Sequence, residues 1–241
     1  MTDARPVGLV TGAAHGLGLE VARQLAVADH EVIIAARDPG KAASAAGGLA
    51  GVHALPVGLD ITDADSVAAA VAAVAMSPGR LDVLINNAAA YVDWTETTTK
   101  ADLVTAVQVM EVNLYGAWRV TQALLPLLRR SPSARIVNIS SGAGSHEDPA
   151  FGLRARGGAA ASHGISKAAL NALTSTFATE LAGTPILVNA VCPGLTATWP
   201  GAESMGARPV EESAKGVVWA ATLPDGGPSG GFFRDGKPLP W

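Results

Sequence analysis

At 241 residues, with no charged or Pro/Gly/Ser-rich linker, the chain reads as a single domain spanning 1–241. Hydrophobic residues make up 49% and charged residues 16%, enough apolar surface for a large buried core, which excludes a disordered chain. A formal net charge of −4 with scattered Lys and Arg leaves no basic footprint for nucleic acid, and the most membrane-like stretch, 67–76, is about half the length of a span.

The apolar run 7–10 leads straight into Thr11-Gly12-Ala13-Ala14-His15-Gly16-Leu17-Gly18 and then into a helical pattern over 18–29. That order describes a phosphate cradle: glycines turn the backbone sharply and let it approach a ligand, and the following helix offers unpaired N–H groups and a positive dipole end. Further strands are expected over 31–35, 52–57, 83–86, 135–139, 186–191 and 231–233, and helices over 40–50, 64–76, 99–130, 164–182 and 210–223. Thr62 with Asp65 reads as a capping box for the third helix. Apolar strands separated by helices imply a doubly wound Rossmann fold of the α/β class, a parallel seven-stranded sheet covered on both faces. The stretch 142–162 lacks an apolar period and reads as a loop or lid, and 195–212 as a short substrate-side segment. Cys192 is the single cysteine, so neither an internal disulfide nor a thiolate metal cluster can form, and no metal site is expected. Nothing near Met1 has the regions of a signal peptide, so the expected location is the cytoplasm.

In a doubly wound fold, ligands bind beyond the carboxyl ends of the strands, so the residues after each strand are the candidates. After the second strand, Ala36 and Arg37 stand where an adenosine ribose would lie. A basic side chain there accepts a 2′-phosphate, and with His15 nearby this favours NADP(H), although Asp38 competes. Asp60 after the third strand suits an adenine edge, and Asn87, Ala88 and Ala89 after the fourth suit close backbone passage beside a ribose. Ser140 and Ser141 follow the fifth strand, and Pro193 and Gly194 follow the sixth and lead to Thr198. Lys167 lies one helical turn from His163.

Taken together, T-G-A-A-H-G-L-G, L-D-I, N-N-A-A, the helix Asn113, I-V-N-I-S-S, H-G-I-S-K and P-G-L-T-A-T resemble the short-chain dehydrogenase/reductase family over the whole chain. The closing G-G-F-F-R-D-G-K-P-L-P-W resembles a bacterial, carbonyl-reductase-like branch of it. The resemblance implies a coenzyme site in which Thr11, Gly12, Gly16, Leu17 and Gly18 surround the diphosphate, Asp60 the adenine, and Asn87 to Ala89 the adenosine ribose. Thr198 would hold the nicotinamide carboxamide, Pro193 and Gly194 would line the coenzyme beside it, and Lys167 would bind the nicotinamide ribose. Ser141 would bond the substrate carbonyl, and Asn113 would hold a water in a proton relay to Lys167. The family's N-N-A-G is N-N-A-A here, one methyl more beside the backbone. Such proteins often pair through the fourth and fifth helices, into a homodimer or homotetramer, while carbonyl-reductase-like members can be single, and the resemblance leaves these alternatives open.

The larger departure is His163, at the position where the family carries tyrosine. Imidazole starts from a pKa of about 6.5, and a neighbouring ammonium lowers it, so at neutral pH it is mostly uncharged. An uncharged imidazole accepts a proton or donates a neutral N–H hydrogen bond, but it is a poor acid. NADPH consumption should therefore rise as pH falls toward the His163 pKa. The resemblance implies hydride transfer between NADP(H) and a small-molecule carbonyl or alcohol. The alternatives are a non-redox cyclase, dehydratase or isomerase using His163 as base or hydrogen-bond donor, and a retired nucleotide-binding protein. Tyr91 stands at the substrate mouth, and His146 at the start of the long loop is a further substrate contact. A hydrolase reading of Ser141 with His163 fails because no G-x-S-x-G elbow surrounds Ser141.

Overall fold

The computed structural model describes residues 5–241. The elements, in chain order, are β1 (Val7–Thr11), α1 (Gly16–Val27), β2 (Glu31–Ala35), α2 (Pro39–Ala46), β3 (Val52–Ala54), α3 (Ala64–Met76), β4 (Val83–Asn86), α4 (Leu103–Met110), a π turn (Glu111–Gly116), α5 (Ala117–Leu128), β5 (Arg135–Ile139), α6 (Ala161–Glu180), β6 (Leu187–Val191), α7 (Val210–Ala221), β7 (Phe232–Arg234) and β8 (Lys237–Pro238). The strands form one sheet in the order β3-β2-β1-β4-β5-β6-β7-β8. From β1 the chain first builds outward through β2 and β3 and then resumes on the other side at β4, so the crevice between the ends of β1 and β4 is the switch point where such sheets bind ligands.

The apolar residues of the central strands divide between two cores, one on each face of the sheet, by the period of two that a pleated strand imposes. Leu9, Leu84 and Ile136 pack with Val67, Val120, Leu124, Leu170 and Phe177 from α3, α5 and α6. Val10, Ile85 and Val137 pack on the opposite face with Val21, Leu25, Ala42 and Val217 from α1, α2 and α7.

The sheet corrects the expected seven strands to eight. β7 and β8 pair antiparallel across Asp235 and Gly236, which have φ of 54° and 72°. Two consecutive left-handed residues, Asp then Gly, make a type I′ hairpin turn, whose twist matches that of the flanking strands. The expected third-helix cap is also corrected. Asp63, not Thr62, caps α3 by accepting from the Asp65 and Ser66 amides, while the Thr62 hydroxyl donates to Asp60 Oδ1 at 2.7 Å. Asp38 and Asp102 cap α2 and α4 in the same way. The helix expected over 99–130 runs without a break from Leu103 to Leu128, with the π turn inserted between α4 and α5. Within the turn Asn113 reaches Ala90, and a Cβ on Gly116 would lie 2.6 Å from Ile61 Cδ1, so glycine is what lets the helix close onto that loop. β3 stops three residues short of the expected strand, ahead of Pro56, whose ring removes a ladder donor.

The long loop of 142–162 is tied down rather than free. Asp148 is buried, its carboxylate accepts from the Ala150 and Phe151 amides and from Arg234 Nη2 at 2.6 Å, and Ser145 Oγ donates to Pro240 O. The helix that ends this region starts earlier than expected, at Ala161, which brings His163 into the first turn of α6.

Candidate active site

Beyond the strand ends lies a cavity of ≈ 920 Å³ running from Arg37 and Asp60, across the glycine loop, to Ser141, His163 and Lys167. Its middle is built by close backbone contacts. Thr11 Oγ accepts from the Asn87 and Ala88 amides, and Asn87 Nδ2 donates back to Thr11 O at 2.8 Å and Gly12 O at 3.1 Å. Thr11 itself is buried and outside the cavity wall; it welds the β1 and β4 ends together. Gly12 has φ +64°, and a Cβ there would sit 2.8 Å from Ala88 Cα; one on Gly18 would lie 2.5 Å from Asn87 Nδ2. Only glycine fits either place. The start of α1 carries no side-chain cap, since His15 caps without a side-chain bond, so the first-turn amides of Gly16, Leu17 and Gly18 remain for a ligand.

At one end, Asp38 is engaged as the α2 cap, accepting from Gly40 N at 2.9 Å and Lys41 N at 3.3 Å, and Arg37 is exposed and lines the cavity with Lys41. Asp60 is held below the usual carboxylate range by the Thr62 hydroxyl and amide, with Arg37 and Arg119 adding attraction. Asn87, Ala88, Ala89, Pro193, Gly194 and Thr198 line the passage between the two ends. Thr198 Cγ2 lies over Gly16, 3.5 Å from where a Cβ would be.

At the other end, His163 is 2% exposed and forms a three-ring cluster with two neighbouring aromatics: Tyr91 stacks on it at 5.2 Å, Trp94 meets it edge-on at 5.5 Å, and the two lie 6.0 Å from each other. Its Nδ1 is buried and has no hydrogen-bond partner. Burial first, and then the Lys167 charge, lower its pKa to about 3. Lys167 is lowered to about 8 by burial, and its Nζ donates to Ile139 O at 2.7 Å. Ser141 faces the cavity at the end of β5 and accepts from Ala143 N through Oγ at 3.2 Å. Asn113 stands behind this wall rather than in it. Its Oδ1 accepts from Ala90 N, and its Nδ2 donates to Ala90 O and to Ser166 Oγ, which donates in turn to His163 O. The Asn113 amide thus binds protein groups on both its oxygen and its nitrogen. His146 is exposed and outside the cavity, its backbone N–H donating to Trp241 O, so it drops out as a substrate contact.

Sequence reasoning missed several residues here. Glu96 accepts from Ser162 N at 2.7 Å and from Ser162 Oγ at 2.9 Å, fastening the 91–97 loop to the start of α6 beside His163. Trp94, Phe151, Arg156, Trp199 and Met205 join Tyr91 in lining this end. Cys192 Sγ receives the Gly142 amide and the Arg234 guanidinium at 3.1 and 3.2 Å. The one signal in the chain was position: Trp94 and Trp199 follow strand ends within ten residues. Among the described residues, no helix is long and apolar enough to cross a membrane.

Residues 6–205 match the family described as short chain dehydrogenase. The chain is 31% identical to (-)-isopiperitenone reductase of Mentha piperita, over 99% of each protein. Its fold matches the NADPH-bound carbonyl reductase from chicken fatty liver with a TM-score of 0.81 and 31% identity over 99% of each chain. It also matches a single-residue variant of the actinorhodin polyketide ketoreductase with NADPH, with a TM-score of 0.81 and 28% identity over 95% of each. The glycine-lined switch point, the doubly wound sheet and these likenesses agree, and the chain belongs to the short chain dehydrogenase family of oxidoreductases.

Proposed function

We propose that the protein is an NADP(H)-dependent oxidoreductase of a carbonyl or alcohol substrate, with His163 in the place of the family's tyrosine. The observation that carries this reading is the single continuous cavity joining Arg37 and the glycine loop to Ser141, His163 and Lys167. The fit to a dinucleotide rests on two further features. The middle of the cavity is walled by backbone, because side chains at Gly12 and Gly18 would collide with Ala88 and Asn87. At its far end a buried ring nitrogen of His163 stands without a partner.

The amides of Gly16, Leu17 and Gly18 would hold the diphosphate, with Gly12 giving close approach. Arg37, with Lys41 and His15 on the same cavity wall, would bind a 2′-phosphate, and Asp38 turns its Oδ1 away to cap α2. Asp60 would face the adenine, Asn87 to Ala89 the adenosine ribose, Thr198 the carboxamide with Pro193 and Gly194 beside it, and Lys167 the nicotinamide ribose. When bound, NADPH supplies the hydride that the carbonyl carbon takes up. The chain's own residues handle the oxygen: Ser141 donates to it, and His163 offers a neutral N–H.

Because burial holds His163 near 3, the rise in rate expected as the pH nears 6.5 moves below the working range. Lys167, near 8, is the ammonium that can supply the proton taken up by the reduced oxygen, while the neutral His163 keeps its own and hydrogen-bonds that oxygen. Asn113 keeps Ala90 and α6 in register for this and acts as a positioning residue. We read 142–162 as cavity wall, 195–212 as the substrate-side segment, and the cytoplasm as the place of action. The exposed line Val104, Val107, Tyr115 and Trp118 along the continuous α4–α5 helix supports a homodimer or homotetramer.

Calorimetry with NADPH and NADH, followed by absorbance of the reduced nicotinamide with an aldehyde and ketone panel, tests the reading. NADPH should bind about tenfold tighter than NADH, and Arg37→Ala should erase that margin, in line with the loss of one charge-assisted contact. Consumption should hold level from pH 6 to 7.5 and fall as Lys167 deprotonates near 8. Binding without consumption of any substrate would turn the assignment toward the non-redox or retired alternatives. Preference for NADH would refute the Arg37 argument.

A further inference from the structure

The chain holds five Trp, two Tyr and four Phe, and four of these aromatics converge on one end of the cavity: Tyr91, Trp94, Phe151 and Trp199. They arrive on three separate loops, after β4, β5 and β6, and they are not core residues. Tyr91 is 64% exposed and Trp199 38%, and Met205 beside them is 61% exposed. Large apolar surface left open around a concave site is surface that a ligand covers.

Charge at this end is just as uneven. Two guanidinium groups lie over the Phe151 ring, Arg156 at 6.0 Å and Arg234 at 5.9 Å. Arg234 is neutralised by Asp148 at 2.6 Å, whereas Arg156 has no carboxylate within 4 Å among the described residues. Arg156 also sits at φ 53°, ahead of Gly157 at 65° and Gly158 at 76°. A left-handed arginine costs about 1–2 kcal/mol and persists where the surroundings dictate it, often at ligand sites. His163 adds no charge near neutral pH.

We propose that this end takes a flat, conjugated carbonyl compound bearing an anionic substituent, its rings stacked among Tyr91, Trp94, Phe151 and Trp199 and its anion met by Arg156. Aromatic rings reward planarity because offset and edge contacts need a flat partner, at about 0.5–1.5 kcal/mol per ring pair beyond area burial. An aliphatic chain of equal carbon count gains the area without that part. The partnerless guanidinium on the rim selects the charge. The inference rests on the oxidoreductase reading for where the carbonyl goes, but not for what the pocket binds.

The test uses 2-naphthoate, uncharged 2-naphthamide and undecanoate in calorimetry, with and without saturating NADPH. 2-Naphthoate should bind in the presence of NADPH at least fivefold tighter than either of the others. Arg156→Gln should remove the preference for acid over amide, and Trp199→Leu the preference for ring over chain. Equal affinities for the three ligands, or expulsion of 2-naphthoate by NADPH, would overturn the proposal, the second because it puts the ligand in the coenzyme arm. A parallel assay follows NADPH consumption with 6-acetyl-2-naphthoate, 2-acetylnaphthalene and 2-dodecanone. The selective binding with no ketone consumed keeps the ligand class and removes the redox reading. Consumption of all three at equal kcat/KM keeps the redox reading and removes the ligand class.

Discussion

The two ends of the cavity are made of different materials. The glycine-loop end is backbone: Gly12 and Gly18 against Ala88 and Asn87, Thr11 Oγ under two amides, and a helix start with no side-chain cap. The His163 end is side chain: an imidazole clustered with two aromatic rings, a buried ammonium, and a loop held by one carboxylate. Backbone sites tolerate few substitutions because every atom is bonded into the fold. Side-chain sites can change their chemistry while the fold stays, and in this chain the departure from the family's pattern falls at that second end.

The largest effect should come from giving the reactive end an acid. His163→Tyr is expected to raise NADPH consumption about 100-fold, within the range for restoring a general acid. An unchanged rate would break the link between His163 and the reacting oxygen. Next is the backbone end. Gly12→Ala should cost about 3 kcal/mol in urea unfolding, since the new methyl meets Ala88 and the left-handed φ is strained. Gly157→Ala, with nothing within 4 Å of its Cβ, should cost only about 1 kcal/mol despite a similar φ. If the two variants matched, close approach would not be what glycine 12 provides.

A third test reads burial through protons. The folded His163 pKa is about 3, against about 6.5 unfolded, so the unfolded chain binds more protons between them. Stability is therefore complete above 6.5 and declines as the pH falls toward 3. At pH 4.5 the loss from this group is about 2–3 kcal/mol, and His163→Gln should flatten that part of the profile by the same amount. The smallest effect concerns the staple. Glu96→Ala should cost about 1 kcal/mol and raise KM for the carbonyl substrate severalfold more than it lowers kcat, and Glu96→Gln, which still accepts from Ser162 N, should recover most of both.

The glycine pattern, the strand ends and the alternation of strand and helix are local features, and the doubly wound sheet follows from them. The eighth strand was also local in origin: Asp235-Gly236 is a hairpin signal, but β8 is too short to show a period of its own. The π turn was not legible, because Asn113 and Gly116 answer to Ala90 and Ile61, residues 23 and 55 positions away. Nor was the α3 cap, where Asp63 and Thr62 both offer suitable oxygens and the neighbouring Asp60 takes the Thr62 hydroxyl.

The sequence by itself determined the fold class, the cradle at the end of β1, the lone Arg37 and the absence of tyrosine at 163. Only the tertiary structure decided what His163 is chemically. Its protonation depends on Tyr91 and Trp94 packing against it from the loop after β4, which Glu96 holds in place, and on the burial this gives beside Lys167 of its own helix. Desolvation is a sum over everything within a few ångströms, so no spacing along the chain can carry it.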